Sequence, residues 1–327
     1  MGQRIYLDPN NPRIERFAGP TIHEVHIDAA MANISIAYRN DQYIADQVFP
    51  VIPVQHQSDK YFIFDKAAWF RNEAQVRAYG TRAARSDYAI KQSAPYAAIE
   101  YALASGLPDE IRANADDPLR PEVEKTEYVT DKILLRLEND VATLVNTSAN
   151  WTSSGTPSNG AWDTDTSDPI KDVVGGSSSV RETIRGLIGR YPNTLVMGAT
   201  VWAALMRHPD LLDRVKYTQM GVVTQQLVAA LFQVDKVLVG TAIINGAAEQ
   251  ATDSFSDVWG KYAWFGWVPP NPGLMIPAAG YVFAWKQRQI NRYREEQEHQ
   301  DVFEALMNFD KKVTSADSGY LLTSVVA

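Results

Sequence analysis

Cysteine is absent from all 327 residues, so neither a disulfide nor a thiolate metal site can stabilise this chain. Robustness must come from packing or from assembly. Long apolar runs are missing too: no stretch approaches the roughly 18 residues expected of a membrane-spanning helix. The opening MGQRIYLDPNNPRIERF has no apolar segment of the kind a secretory signal needs. Met1-Gly2 is followed by Tyr6 where myristoylation wants Ser or Thr. Positive charge is in deficit, with a net charge of −8, which gives no support to nucleic-acid binding as the main activity. The hydrophobic content of 45% and charged content of 21% are those of an ordinary folded protein, and the length predicts about two domains.

The strongest signal present is helical, over residues 121–150. Val129, Ile133, Leu137, Val141 and Val145 recur every fourth residue, with Leu134 and Leu144 widening the stripe. Lys132, Arg136, Glu138, Asn139 and Asp140 are assigned to the opposite, polar face. Pro121 fits a first helical position, where its missing N–H has no partner to lose. Glu122, Glu124 and Glu127 put negative charge near the positive end of the dipole. Such a helix reaches roughly 35–45 Å at 1.5 Å per residue, the width of a domain. It reads as a spine.

Upstream of the spine the chain reads as open and extended. Residues 1–45 carry the turns Asp8-Pro9 and Asn11-Pro12 and too few apolar residues to bury much alone. Pro50 and Pro53 interrupt the apolar run 43–54, which predicts an edge strand or extended arm. KYFIF at 60–64 and residues 87–92 read as the two strands of a long hairpin. Between them, residues 70–85 are polar and strongly basic: Arg71, Arg77, Arg82 and Arg85 stand against only Glu73. A two-stranded ribbon is marginal in water, so this one is expected to lie on a neighbouring molecule, its arginines meeting acidic surface there. Residues 95–115 mix short strand and helix signals.

Downstream, residues 151–168 are rich in Ser, Thr, Gly and Asp and read as a loop. Asp168-Pro169 is a cap and first-turn pair for a helix running to about residue 190, interrupted at Gly175-Gly176. Alternating elements follow: strand 194–198, helices 200–207, 209–217 and 222–232, strands 236–244, 258–268 and 281–286. The tail alternates Phe303, Ala305, Met307 and Phe309 with Glu304, Asn308 and Asp310, the period of a half-buried strand. It turns at 315–319 and returns over 320–326, with both strands expected to pack near the spine.

A search for chemistry finds no catalytic residue. His23-Glu24-Val25-His26 lacks the spacing of the His-Glu-x-x-His zinc motif. The acidic run 163–168 lacks the glycine and terminal glutamate of a calcium loop. Gly175-Gly176 has neither a Walker lysine nor a third glycine, and no Gly-x-Ser-x-Gly elbow exists. No metal, cofactor or enzymatic activity is expected.

A chain with an arm, a basic hairpin and a spine but no active site makes sense as part of a shell. Four stretches in order carry a resemblance: YIADQVFPVIPVQHQSDKYFIFDKAAWFR, WDTDTSDPIKDV, YPNTLVMGATVWAALMRHPDLLDRVKY and LVAALFQVDKVLVGTAIIN. Together they resemble the major capsid proteins of tailed bacteriophages, over nearly the whole chain. That resemblance implies an α+β fold of the Hong Kong 97 type, shared with encapsulins. By it, residues 1–50 are the N-terminal arm, 51–92 the extended loop and 93–169 the peripheral domain with its spine. Residues 170–287 are then the axial domain, and 288–327 are C-terminal strands returning to the peripheral domain. The implied function is structural: copies self-assemble as pentamers and hexamers into an icosahedral virion shell around double-stranded DNA, assembled in the host cytoplasm. The implied partners are the chain itself, a separate scaffolding protein, a portal and a decoration protein, with no membrane. Separate scaffolding, or none, also follows from an arm that starts the chain with no large scaffolding segment before it. Some members of the family cross-link subunits through a loop lysine and an axial-domain asparagine. Here the loop tip uses arginine, Lys60 and Lys66 lie lower, and non-covalent assembly is predicted. The alternatives are an encapsulin-type compartment holding cargo, and an enzyme with an unrecognised site.

Overall fold

The computed structural model describes residues 26–27, 42–64, 70–85, 90–115, 120–215, 223–248, 251–274 and 276–327. Most of the arm, and hairpin residues 65–69 and 86–89, lie outside that set.

In chain order the first elements are β1 (His26–Ile27), α1 (Ala45–Val48), β2 (Val51–Pro53), β3 (Ser58–Phe64), β4 (Ile90–Ala97), β5 (Ile99–Pro108) and α2 (Asp109–Ala113). The spine is α3 (Pro121–Asn146), followed by β6 (Ser153–Gly155), α4 (Pro169–Val174) and α5 (Val180–Ile188). Next come β7 (Thr194–Gly198), α6 (Ala199–Leu205), α7 (Pro209–Val215), α8 (Gln225–Phe232), β8 (Lys236–Gly240), β9 (Ile243–Asn245) and β10 (Phe255–Asp257). The chain closes with β11 (Ala263–Gly266), β12 (Gly280–Glu295), β13 (Gln300–Val313) and β14 (Gly319–Leu322).

Two larger sheets organise these elements. The first runs β1-β12-β13-β5, with β2 added parallel to β12, and the spine packs against β13 and β5. The second runs β6-β14-β11-β7-β8, and its central strands are apolar on both faces, since every residue of β7 and β11 is buried. Two cores follow from this arrangement. One gathers the spine stripe with Phe309, Val282, Trp259 and Trp264; the other holds Trp162, Phe232 and Phe265 beneath the helices of the second sheet.

The spine begins at Pro121, as expected, and its α-helical part stops at Asn146, with a 3-10 turn at Ser148–Asn150. All five stripe residues are buried. The polar face is a correction: Glu138 is fully buried and Asp140 nearly so. A helix turns about 100° per residue, so an every-fourth-residue stripe drifts about 40° per step. Over 129–145 it therefore sweeps across a broad arc, Asp140 falls within that arc and Glu138 at its edge. Neither carboxylate lies on an exposed polar face.

Asp168 caps α4 through Lys171 N at 2.9 Å, Pro169 occupies its first turn, and the helical run breaks after Val174 before α5 resumes. Pro50 and Pro53 frame β2, whose pairing is confined to β12. Among the described residues the returning hairpin strand covers Ile90–Ala97, past the expected end at 92, and positions 87–89 of the expected strand lie outside them. The strand expected over 236–244 is split at 241–242 into β8 and β9. β12 outruns the expected 281–286 by nine residues at its end, because its polar second half is paired through Glu295↔Gln300 and needs no apolar pattern to hold it.

The C-terminal strands do not pair with each other, although Leu321 of the second joins the spine's core as expected. β13 pairs with β12 and β5 above the spine, whereas β14 crosses to the second sheet between β6 and β11. The hairpin base also departs from the sequence reading. Tyr61 and Tyr96 stack on Phe283 at 5.7 and 4.7 Å between ring centroids, so the ribbon is seated on its own chain before it projects.

Candidate assembly surfaces and the joint behind them

A shell subunit needs surface that is unfinished by itself, and residues 70–85 have it. The segment has no regular structure, and Arg71, Arg77, Arg82 and Arg85 are all exposed. Arg71 pairs with Glu73 at 3.2 Å; among the described residues Arg77, Arg82 and Arg85 make no ion pair. All four lie in one exposed stretch of chain. Sequence reasoning treated this loop as polar and passed over its apolar members: Val76 and Tyr79 are fully exposed and Phe70 largely so. The signal was available, since three large apolar side chains interrupt a charged run.

Phe70 marks where the loop touches the body. Its ring lies against Gly189, the left-handed residue that ends α5 with φ +69°. A Cβ there would stand about 2.7 Å from the ring, so glycine serves both the turn and the contact.

Three polar joints tie the elements of the subunit together. The first centres on Glu138, whose Oε1 accepts from Ile44 N (3.1 Å) and Trp259 Nε1 (2.6 Å). Its Oε2 accepts from Ile44 N (3.0 Å) and Ala45 N (2.7 Å). Burial pushes the carboxyl above its ordinary range, and the three donors pull against that shift. In the second joint, Asp140 accepts from Lys311 Nζ at 2.7 Å and pairs with Arg136 at 3.1 Å. Burial works to lower the Lys311 pKa, but the Asp140 contact outweighs it and the ammonium is held above its usual value.

The third joint is a six-residue ion network at the start of the spine. Asp301 is held by Arg112 and by Arg292 at 2.7 Å, and Arg294 reaches it at 3.4 Å. Glu122 accepts from Arg112 at 3.1 Å and Arg292 at 3.3 Å, while Arg294 grips Asp109 through both of its terminal nitrogens. Burial works to raise the Asp301 pKa, yet the bonds from Arg292 and Arg112 outweigh it and lower it to about 2. The network ties α2, the spine, β12 and β13 into one piece.

One constellation imitates a catalytic site. Ser167 Oγ lies 3.0 Å from His208 Nε2, and the Asp210 carboxylate is 3.9 Å from Nδ1. Ser167 already donates its proton to Thr164 O at 2.8 Å, so Nε2 must be the donor between the pair. Nδ1 in turn accepts from Asp210 N at 3.3 Å. A nucleophilic serine needs the opposite polarity, and both side chains are buried away from any substrate. The cluster joins the 163–168 loop to the start of α7. Among the described residues no group of His, Asp and Glu could hold a metal, and no helix is long and apolar enough to cross a membrane.

No family model matches the chain. It is 28% identical over 310 residues to the major capsid protein of Burkholderia phage BcepMu, covering 91% of this chain and 96% of that protein. It is also 28% identical over 259 residues to the major capsid protein of Pseudomonas phage JBD67, covering 73% and 76%. Among solved structures, a phage-related protein of Bordetella bronchiseptica superposes with a TM-score of 0.74 at 26% identity, over 91% of this chain and 97% of that one. The capsid protein of Cyanophage P-SCSP1u gives a TM-score of 0.53 at 10% identity, over 97% and 96%. The chain thus has the α+β capsid fold of the Hong Kong 97 type and is a relative of phage major capsid proteins.

Proposed function

We propose that this chain is a structural subunit that self-assembles, as pentamers and hexamers, into the icosahedral shell enclosing double-stranded phage DNA. The observation that carries this reading is the relation to a phage major capsid protein across nearly the full length of both chains. A match of that extent concerns a whole subunit, not a shared module. The exposed 70–85 segment supports it, because fully exposed Val76 and Tyr79, beside Arg77, Arg82 and Arg85 that make no ion pair among the described residues, gain most from a neighbour that is apolar and acidic.

In this reading residues 1–50 are an arm and 51–92 an extended loop laid over neighbours. Residues 93–169 with 288–327 form the peripheral domain, apart from β14, and 170–287 the axial domain at the symmetry axes. Arg71, Arg77, Arg82 and Arg85 contribute to subunit contacts. Closed shells need complementary patches that do not pair with themselves, and arms and loops enlarge such patches without enlarging the core. The chain works without cofactor or metal, in a virion assembled in the host cytoplasm, with a separate scaffolding protein, a portal and a decoration protein as partners. It contacts DNA without reading its sequence.

The test is expression of the full chain, alone and together with a candidate scaffolding protein, followed by sedimentation and negative-stain electron microscopy. Closed megadalton shells are expected. Small, monodisperse oligomers under every condition would sink the reading.

A further inference from the structure

We infer that Glu138 is the positioning residue of α1, a buried carboxylate that seats the start of this helix, Ile44 and Ala45, on the spine and so fixes the root of the N-terminal arm. The inference rests on the shell reading only for its consequence in assembly; the clamp itself stands on the geometry of one subunit.

α1 is a four-residue helix with hydrogen bonds from Gln47 N, Val48 N and Phe49 N back to Ile44 and Ala45. A single turn fixes several dihedrals for few bonds and does not persist by itself. Its N-cap residue is Ile44, which has no side-chain oxygen to satisfy the free N–H groups at the helix start. Glu138, 94 residues later in sequence, supplies the missing acceptor to both Ile44 N and Ala45 N. Ile44, Ala45, Val48 and Phe49 are buried alongside it. Phe49 is admitted by Gly280, where a Cβ would come within about 2.4 Å of the ring. α1 is therefore seated on the spine by apolar contact and oriented by one charged group.

The choice of a carboxylate is informative. A buried charge costs stability unless its bonds are good, and an apolar side chain would fill the site more cheaply. Three N–H donors converge on two oxygens, so only a group that accepts at both oxygens fits. A glutamine would turn its own N–H₂ toward one of those donors. Trp259 supplies the third donor from the loop before β11, which links the arm root to the second sheet through the same two oxygens. The start of α1, the spine and the loop before β11 thus share one acceptor.

The test compares the wild-type subunit with Glu138→Gln and Trp259→Phe, all as full chains. Hydrogen exchange of the unassembled wild type should show the Ile44 and Ala45 amides protected. Exchange there at the rate of an open peptide would overturn the clamp, whatever the variants do. Glu138→Gln should raise exchange at those two amides by about tenfold or more while spine amides 129–145 keep theirs. It should also expose the chain before Ile44 to limited proteolysis and reduce the yield of closed shells. Trp259→Phe keeps the arm donors and should retain both arm protection and shell yield. Unchanged Ile44 and Ala45 exchange in Glu138→Gln, or normal shells from a subunit with a released arm root, would overturn the inference. If wild type forms no shells, the function proposal fails while the exchange result still decides the clamp.

Discussion

Lys311, near the end of the long strand β13, places its ammonium 2.7 Å from the Asp140 carboxylate on the spine helix. The two residues are 171 positions apart, and Arg136 completes the pair from the exposed side of the same helix. The first sheet is thereby pinned to the spine by charge as well as by apolar contact. Replacing Asp140 with Ala leaves Lys311 half-buried without its counter-charge. That change should destabilise the unassembled subunit by roughly 1–3 kcal/mol, read as a lower urea midpoint. Adding Lys311→Met should restore part of the loss, because the pair is then removed together. Additive losses would mean the two residues are not coupled.

Leu137 sits in the middle of the stripe, buried between the spine and the first sheet. Leu137→Ala should cost about 2–5 kcal/mol through lost transfer energy and the cavity left behind. Replacement of exposed Tyr128 on the same helix should change stability by less than about 0.5 kcal/mol. Thermal unfolding of both variants checks the contrast.

Asp301 gives the ion network a defined pH dependence. Its folded-state pKa of about 2 lies below its ordinary value of 3.8. A depressed carboxylate pKa contributes stability that is complete above the ordinary value and is lost as pH falls through the folded one. The stability difference between wild type and Asp301→Asn should therefore be constant above pH 3.8 and shrink toward pH 2. A difference that grows on acidification would show that the arginines do not hold Asp301 as described.

Charge reversal at Arg77 and Arg82 should impair assembly and leave the subunit folded, since both side chains are exposed and unpaired among the described residues. Circular dichroism should match the wild type while shell yield falls. Loss of the folded signal would place those residues in the core of the subunit instead.

Mature particles should migrate as a single monomer band on a denaturing gel, because no lysine stands at the loop tip where the family's cross-link begins. Ladders of higher mass would overturn non-covalent assembly.

Reading the chain alone recovered what local rules control. The Asp168-Pro169 cap, the break at Gly175-Gly176 and the start of the spine at Pro121 depend on neighbours a few residues away. β7 was recognisable because burial fills it outright, and β13 because Phe303, Ala305, Met307 and Phe309 are buried in alternation, although Asn308 between the last two is buried as well. The loop arginines were found for the same reason: a charged run is visible without knowing what it faces.

Long-range pairing escaped that reading. The polar second half of β12 is a strand because β13 lies beside it, not because its own residues alternate. β14 joins the second sheet because β6 and β11 leave a slot between them, which no property of GYLL announces. Glu138 and Asp140 looked like solvent-facing acids because charged residues usually are. Their partners, Ile44, Ala45, Trp259 and Lys311, come from 93 to 171 positions away. Composition and periodicity established the spine, its apolar stripe and the exposed loop. Which of the spine's acids are buried, and what they hold in place, depended on donors brought to the helix only when the chain had folded.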